Sequence, residues 1–207
     1  MTLDAIMALS PMIAVVTIRD ARHAAPLTAA LVAGGVPAVE ITLRTSSALE
    51  AIRAAATVPG AVIGAGTCLN RAQIDAAAEA GAAFAVSPGA TSTLLRAAKG
   101  AAIPLLPGIT TASELMAALE HGYDRLKFFP AESAGGAAAI KALGAPFAKV
   151  RFCPTGGITL QNAPSYLVLG NVDCVGGSWL APEDAIQAAD WGRIETLARA
   201  AVAALAK

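Results

Sequence analysis

Lys127 is the one lysine in an apolar, aromatic stretch of the sequence, RLKFFPAE (residues 125–132). Side chains of a β-strand alternate between its faces, so Lys127 and Phe129 share one face of a strand here. Phe128 lies on the other face. If both faces are covered, Lys127 projects into a packed interior, where desolvation favours the neutral, nucleophilic amine. On this segment alone, a lysine that extends its ammonium to water is the better explanation, and the rest of the chain must decide.

A second set of reactive side chains alternates in VEITLRT (residues 39–45). Glu40, Thr42 and Arg44 fall on one face of a predicted strand, and the apolar residues between them fall on the other. Charges on a buried face are costly unless they are paired or functional. An internal ion pair of Glu40 is the structural alternative. Because the polar set occupies the face that should be core, we favour a functional role.

Glycine pairs follow two consecutive apolar runs, in CPTGGIT (residues 153–159) and VGGSWL (residues 175–180). Backbone N–H groups of such turns converge on an anion, and a short helix starting near Ser178 would add its positive N-terminal end. Tight turns would explain each pair separately, but their occurrence after adjacent strands favours a phosphate site. In GAGTCLN (residues 64–70), Thr67 offers a hydroxyl at a strand end. The segments SPGAT and LPGIT are explained by turn chemistry alone.

Eight apolar runs, nearly continuous in hydrophobicity, are typical of parallel strands covered on both faces. They are residues 13–18, 38–43, 61–66, 84–87, 104–107, 125–129, 150–154 and 173–176. Helical segments alternate with them, at residues 21–33, 47–56, 71–80, 93–98, 112–121, 136–143, 160–169 and 193–206.

Eight strand–helix units predict a (β/α)8 (TIM) barrel, as a single domain over residues 1–207 with a short N-terminal helix at residues 2–9. The competing open doubly wound sheet would place a glycine-rich turn after the first strand, but TIRDARHA contains no glycine. In a barrel, the active site lies at the C-terminal ends of the strands. The reactive residues described above gather at those ends.

Composition argues against several classes of partner. Of 207 residues, 56% are hydrophobic and 14% charged, and fifteen basic and fifteen acidic side chains give a net charge of zero. Without a basic stripe or an apolar run of about 18–20 residues, neither nucleic acid nor a membrane is expected as a partner. No basic residue precedes Arg19, so we expect no signal peptide. Cys68, Cys153 and Cys174 lack metal-site spacing and are expected to be buried thiols in a reducing cytoplasm.

His23 and His121, the only histidines, fall at predicted helix ends rather than at the strand ends. Without histidine clusters or grouped carboxylates, a catalytic metal has little support. A nucleophilic serine or cysteine would lack its base. The remaining lysine, carboxylate and anion site suit Schiff-base chemistry on a phosphorylated keto compound.

Seven segments, in this order and spacing, resemble the 2-keto-3-deoxy-6-phosphogluconate (KDPG) aldolases: VEITLRT, GAGT, SPG, PGITTASEL, KFFPAE, FCPTGGI and GGSWL. This class I (β/α)8 family includes the 4-hydroxy-2-oxoglutarate aldolases. The resemblance implies a lyase of the Entner-Doudoroff pathway that cleaves KDPG, a phosphorylated 2-keto acid, to pyruvate and D-glyceraldehyde 3-phosphate. It also implies a cytoplasmic homotrimer that needs no metal or other cofactor.

The same resemblance implies a role for each matching residue. Lys127 would be the Schiff-base lysine and Glu40 the general acid/base. The substrate-binding residues would be Arg44 and Thr67, at the carboxylate of the pyruvate portion, and Thr155 in the same pocket. The phosphate end would be formed by Gly156, Gly157, Gly177 and Ser178.

Several alternatives stay open on the sequence. The preferred substrate could be the galactonate epimer of KDPG or 4-hydroxy-2-oxoglutarate, although CPTGGI resembles the gluconate-specific branch more closely. A metal-dependent pyruvate aldolase or decarboxylase is a second alternative, and a non-catalytic barrel that senses a phosphorylated metabolite is a third. The sequence assigns no role to Arg19, and strand alternation does not say which of Phe128 and Phe129 contacts substrate.

Overall fold

Parallel strands alternate with helices along residues 1–205, the part of the chain that the computed structural model describes. The strands are β1 (Met12–Val16), β2 (Ala38–Thr42), β3 (Val62–Gly66), β4 (Phe84–Val86), β5 (Leu105–Leu106), β6 (Gly108–Ile109), β7 (Arg125–Phe128), β8 (Arg151–Pro154) and β9 (Val175–Gly177). The helices are α1 (Leu3–Met7), α2 (Ala24–Ala33), α3 (Ala48–Ala56), α4 (Arg71–Glu79), α5 (Ser92–Ala98), α6 (Ala112–Glu120), α7 (Gly136–Gly144), α8 (Ala163–Leu167), α9 (Glu183–Gln187) and α10 (Trp191–Leu205).

Every predicted strand overlaps an observed one, but the fifth is divided. Pro107 separates β5 from β6, because proline has no N–H to donate to a strand ladder. β5 pairs with β4, whereas β6 pairs with β7. The predicted sixth, seventh and eighth strands are therefore β7, β8 and β9.

The strands form two parallel sheets, ordered β5-β4-β3-β2-β1-β9 and β6-β7-β8. The larger sheet curls into a half-barrel with helices packed outside it. Isolated parallel bridges, Phe152 to Val172 and Thr155 to Gly176, connect β8 with the segment around β9. The expected α/β class with a parallel sheet is confirmed. The predicted single eight-stranded ladder is not continuous, since Pro107 interrupts it at one seam and only isolated bridges span the other.

Residue parity along the strands divides the core into two clusters. Val39 and Ile41 of β2 pack against the helices, as the alternation predicts, and belong to the larger cluster. Ala38 lies on the opposite face, in a smaller cluster that also includes Ile6 and Met7 of α1. The N-terminal helix therefore covers the inner strand faces, and Glu40 shares a strand face with Ala38.

Helix ends differ from the predictions where local capping sets them. The N-terminal helix, predicted over residues 2–9, spans Leu3–Met7, and Thr2 accepts a hydrogen bond from Ala5 at its N-cap. The terminal helix, predicted over residues 193–206, begins earlier at Trp191 and is described to Leu205. Its predicted last residue lies outside the described residues.

Candidate active site

Lys127 and Glu40 meet between the two sheets. Lys127 on β7 and Glu40 on β2 are 5% and 4% exposed, and Nζ lies 3.1 Å from Oε1 and 3.4 Å from Oε2. The lysine does not extend to water as the simpler interpretation required. A buried ion pair loses much of its Coulomb energy to desolvation, so its presence alone is weak evidence for a stabilising role.

The aromatic residues that follow Lys127 have different environments. Phe128 is fully buried among the helix-facing residues and makes an edge-to-face contact with Phe152, at 6.5 Å between ring centroids. The ring of Phe129 lies 5.3 Å from Nζ of Lys127. Phe129 is therefore the ring beside the reactive amine, which strand alternation alone left undecided.

A cavity of about 400 Å³ opens beside the ion pair at the C-terminal ends of the strands. Its wall includes Phe129 and six residues expected from the sequence: Arg44, Thr155, Gly156, Gly157, Gly177 and Ser178. Lys127, Glu40 and Thr67 are not part of this wall. Lys127 is linked to the cavity through the ring of Phe129, which contacts both.

Backbone contacts fix the Gly156–Gly157 turn at one end of this cavity. Both glycines have positive φ, at 99° and 76°, where an L side chain is strained. The N–H of Glu132 donates to the carbonyl of Gly156 at 3.1 Å, and Nδ2 of Asn162 donates to that of Gly157 at 3.0 Å. A Cβ at Gly157 would lie 2.8 Å from Cβ of Glu132. The turn is thus held close against the segment that follows Lys127.

The helix expected near Ser178 begins later in the chain. Ser178 is exposed in a turn in which the N–H of Ala181 donates to its carbonyl, and α9 begins only at Glu183. Pro182 occupies the N-cap position with φ −63° and extended ψ, which places the helix start after it. The predicted helix N-terminus at Ser178 is therefore wrong, and backbone and hydroxyl groups remain as donors at this end.

Sequence reasoning missed several cavity residues. Arg19 and Glu183 both line the cavity and form an exposed ion pair, with Nε and Oε1 3.2 Å apart. Thr17 also lines it and donates or accepts across to the polar face of β2. Arg19 and Thr17 directly follow β1, so their position at a strand end was an available signal. Nothing in the sequence marks Glu183.

Thr67 stands out through its backbone. Its φ is 62°, in the left-handed region, which is rare for a β-branched residue. The neighbouring Cys68 is buried, and burial raises the pKa of its thiol to about 12, with the nearby Glu40 carboxylate adding to the rise. A thiol held in its protonated form is a poor nucleophile.

Neither a metal cluster nor a membrane-spanning helix is found among the described residues. No three His, Cys, Asp or Glu side chains of residues 1–205 are grouped so that they could hold a metal ion. Within the same range, every helix is too short or too polar to cross a bilayer.

Comparison with known proteins gives consistent matches over almost the whole chain. The sequence model of the KDPG and KHG aldolase family matches residues 3–197. A 2-dehydro-3-deoxy-phosphogluconate aldolase of Pseudoalteromonas atlantica is 54% identical over 197 residues, which are 95% of this chain and 92% of the relative. A KHG/KDPG aldolase of Escherichia coli K12 is 52% identical over 200 residues, 96% of this chain and 94% of the relative.

One similar solved structure is the KDPG aldolase of Legionella pneumophila, with pyruvate captured at low pH as a covalent carbinolamine intermediate. It superposes with a TM-score of 0.95 at 46% identity, and the match covers 98% of each chain.

Proposed function

Since this chain belongs to the KDPG and KHG aldolase family, as its motifs predicted, we propose that it is a class I aldolase acting through a Schiff base on Lys127. Its reaction is the reversible cleavage of 2-dehydro-3-deoxy-6-phosphogluconate to pyruvate and D-glyceraldehyde 3-phosphate. The observation that carries the assignment of residues is the buried contact of 3.1 Å between Nζ of Lys127 and Oε1 of Glu40.

The contact supplies the proton transfers that covalent catalysis requires. Glu40 takes the proton of the lysine ammonium, and the free amine attacks the C2 ketone to give a carbinolamine. Glu40 returns the proton to the departing hydroxyl, which leaves as water, and an iminium ion forms. The iminium is the electron sink next to the bond that must break.

Cleavage and release reuse the same carboxylate. Glu40 removes the C4 hydroxyl proton, the C3–C4 bond breaks, and its electron pair flows into the iminium to form an enamine. D-Glyceraldehyde 3-phosphate leaves, Glu40 protonates C3 of the enamine, and water hydrolyses the resulting iminium to pyruvate and free lysine. General acid–base catalysis of this kind typically contributes about 10²–10⁴-fold in rate.

The remaining site residues hold the two ends of the substrate. Arg44, Thr67 and Thr155 bind the carboxylate end, where a guanidinium suits a planar anion. The phosphate end is bound by Gly156, Gly157, Gly177 and Ser178. The positive φ of Gly156 and Gly157 supports this assignment, because a turn without side chains lets backbone N–H groups approach an anion closely.

4-Hydroxy-2-oxoglutarate is a second candidate substrate. The Escherichia coli relative carries both activities in its name, and the chemistry at C2 to C4 is the same for both substrates. The galactonate epimer of KDPG differs only in configuration. Side-by-side kcat/KM values for these three compounds, measured by pyruvate release, would rank them.

The decisive experiment is borohydride trapping with pyruvate. We expect reduction of the iminium to add a pyruvate-derived mass to the peptide containing Lys127. Lys127→Ala should lose both adduct and turnover, whereas Lys141→Ala, on α7, should keep both. An adduct on another lysine would overturn the assignment, and a complete absence of adduct would favour a metabolite-binding barrel without catalysis. Loss of turnover in EDTA would favour a metal-dependent aldolase instead.

The fold and assembly extend this proposal. The bridges of β8 with the segment around β9, and the single residue between β5 and β6, support one closed (β/α)8 barrel domain. The hydrophobic content of 56% favours burial of surface between subunits, as in a homotrimer, which sedimentation would test. Three unpaired, buried cysteines favour a cytoplasmic setting.

A further inference from the structure

Two threonine hydroxyls connect the guanidinium of Arg44 to two different strands. Oγ1 of Thr42, on β2, lies 2.9 Å from Oγ1 of Thr17, which directly follows β1. Arg44 donates from Nε to Thr42 at 3.3 Å and from an Nη to Thr17 at 2.8 Å. The three polar groups form a closed triangle, and Thr42, at its inner corner, is only 3% exposed.

The partners of Arg44 are neutral, and this leaves its charge available. Among residues 1–205, the nearest-neighbour ion pairs within 4.0 Å include none formed by Arg44. Glu40, which lies on the same face of β2, is instead paired with Lys127. Thr42 stands between Glu40 and Arg44 along the strand. A hydroxyl at this place orients the guanidinium without neutralising it, as a carboxylate would.

Hydrogen accounting adds a directional element. A hydroxyl has one hydrogen and two lone pairs. Both oxygens accept from Arg44, so one hydroxyl donates to the other and one hydroxyl hydrogen remains. Thr17 lines the cavity, whereas Thr42 is buried beneath it. Thr17 is therefore the hydroxyl that can offer its hydrogen to an anion bound beside Arg44.

We propose that Thr17 and Thr42 form a hydroxyl clamp that positions Arg44 for the carboxylate of the 2-keto acid. The clamp holds the guanidinium at the cavity wall and keeps it apart from Glu40. This proposal rests on the proposed function, because it assumes that Arg44 binds that carboxylate. Thr17 and Thr42 act here as positioning residues, and Thr17 also donates to the anion.

Thr42→Val tests the clamp with a side chain of similar shape that lacks the hydroxyl. We expect the half-saturating pyruvate concentration for borohydride trapping to rise about tenfold, because hydrogen bonds to a charged group are lost. Trapping of pyruvamide, which has no carboxylate, should be unchanged. Thr42→Ser restores the hydroxyl and should recover pyruvate binding. In steady-state assays, KM should rise much more than kcat falls.

A matched control distinguishes the clamp from general damage. Thr28, on α2, is a fully buried threonine whose hydroxyl has no partner among the described residues. Thr28→Val should leave both half-saturating concentrations unchanged. Equal weakening of pyruvate and pyruvamide trapping by Thr42→Val, or no weakening of either, would overturn the clamp. If the parent protein forms no pyruvate adduct, the proposed function fails instead, so the two failures are distinct.

Discussion

Gly66 and Glu40 approach so closely that no other residue fits at position 66 without moving the carboxylate. A Cβ on Gly66 would lie 2.3 Å from Oε1 and 2.8 Å from Cγ of Glu40. The same Oε1 contacts Nζ of Lys127. The glycine at the end of β3 thus provides the space in which the carboxylate reaches the amine.

Gly66→Ala should therefore displace Glu40 from Lys127. We expect kcat to fall by about 10²-fold or more, because correctly placed general acid–base catalysis is worth this much. The matched control is Gly170→Ala, where an added Cβ meets nothing within 4 Å. Steady-state kinetics of both variants provide the measurement, and an unimpaired Gly66→Ala enzyme would show that the position of Glu40 is not critical.

Glu40→Gln keeps the size of the side chain but removes its ability to take a proton. Cleavage of KDPG should slow by about 10²–10⁴-fold. Pyruvate should still be trapped on Lys127 by borohydride over a long incubation. Rapid-quench measurement of the cleavage step, together with mass analysis of the adduct, separates the effects. Complete loss of the adduct would mean that Glu40 serves mainly to prepare the lysine.

Thr67→Gly should stabilise the protein while weakening substrate binding. A β-branched residue with φ near 62° is strained by about 1–3 kcal/mol, which exceeds the entropy that glycine adds to the unfolded chain. We expect the free energy of unfolding to rise by about 1 kcal/mol and KM to increase through loss of the hydroxyl.

The control for this prediction is Ala189→Gly. Ala189 also has positive φ, at 51°, but does not belong to the candidate site. Its replacement should stabilise the fold without changing KM. Urea unfolding and initial-rate measurements test both variants, and destabilisation by Thr67→Gly would show that the surrounding contacts hold Thr67 without strain.

Ser178→Ala removes a hydroxyl from the cavity end assigned to phosphate. KM should rise about tenfold for KDPG but little for 4-hydroxy-2-oxoglutarate, because only the former carries the charged group that the hydroxyl contacts. Ser92→Ala, at an exposed position outside the cavity wall, should affect neither substrate. Similar increases for both substrates would argue against a phosphate contact at Ser178.

Cys68 should resist alkylation in the folded protein. With a pKa of about 12, its thiol is ionised in only about one molecule in ten thousand at pH 8. Iodoacetamide at pH 8 should leave Cys68 unmodified and activity intact, as peptide mass analysis would show. All three cysteines should react after unfolding in guanidinium. Rapid modification of native Cys68 would contradict the buried environment described for it.

Residue parity and strand ends carried most of the site from sequence alone. Alternation along VEITLRT and RLKFFPAE placed Glu40 and Lys127 on inward faces, because period-two patterns fix which side chains share a face. Parity says only that Phe128 and Phe129 face apart, so their assignment required the surrounding structure. The partner of Arg44 on β1, Thr17, also required it, since a contact between different strands depends on register.

Other features depend on local backbone chemistry that hydrophobic patterns do not report. The division of the fifth strand follows from the missing N–H of Pro107, and the late start of α9 follows from Pro182 at its N-cap. Both prolines are visible in the sequence. Their consequences depended on which neighbours needed the absent hydrogen bond.

The Glu40–Lys127 pair joins residues 87 positions apart, and each comes from a different sheet. During synthesis, the carboxylate emerges long before the amine, and neither has a partner until β7 reaches β2. Contacts so distant in sequence form late and only in a nearly complete tertiary structure. Formation of the pyruvate adduct therefore doubles as a folding assay: it counts the molecules in which both sheets have come together.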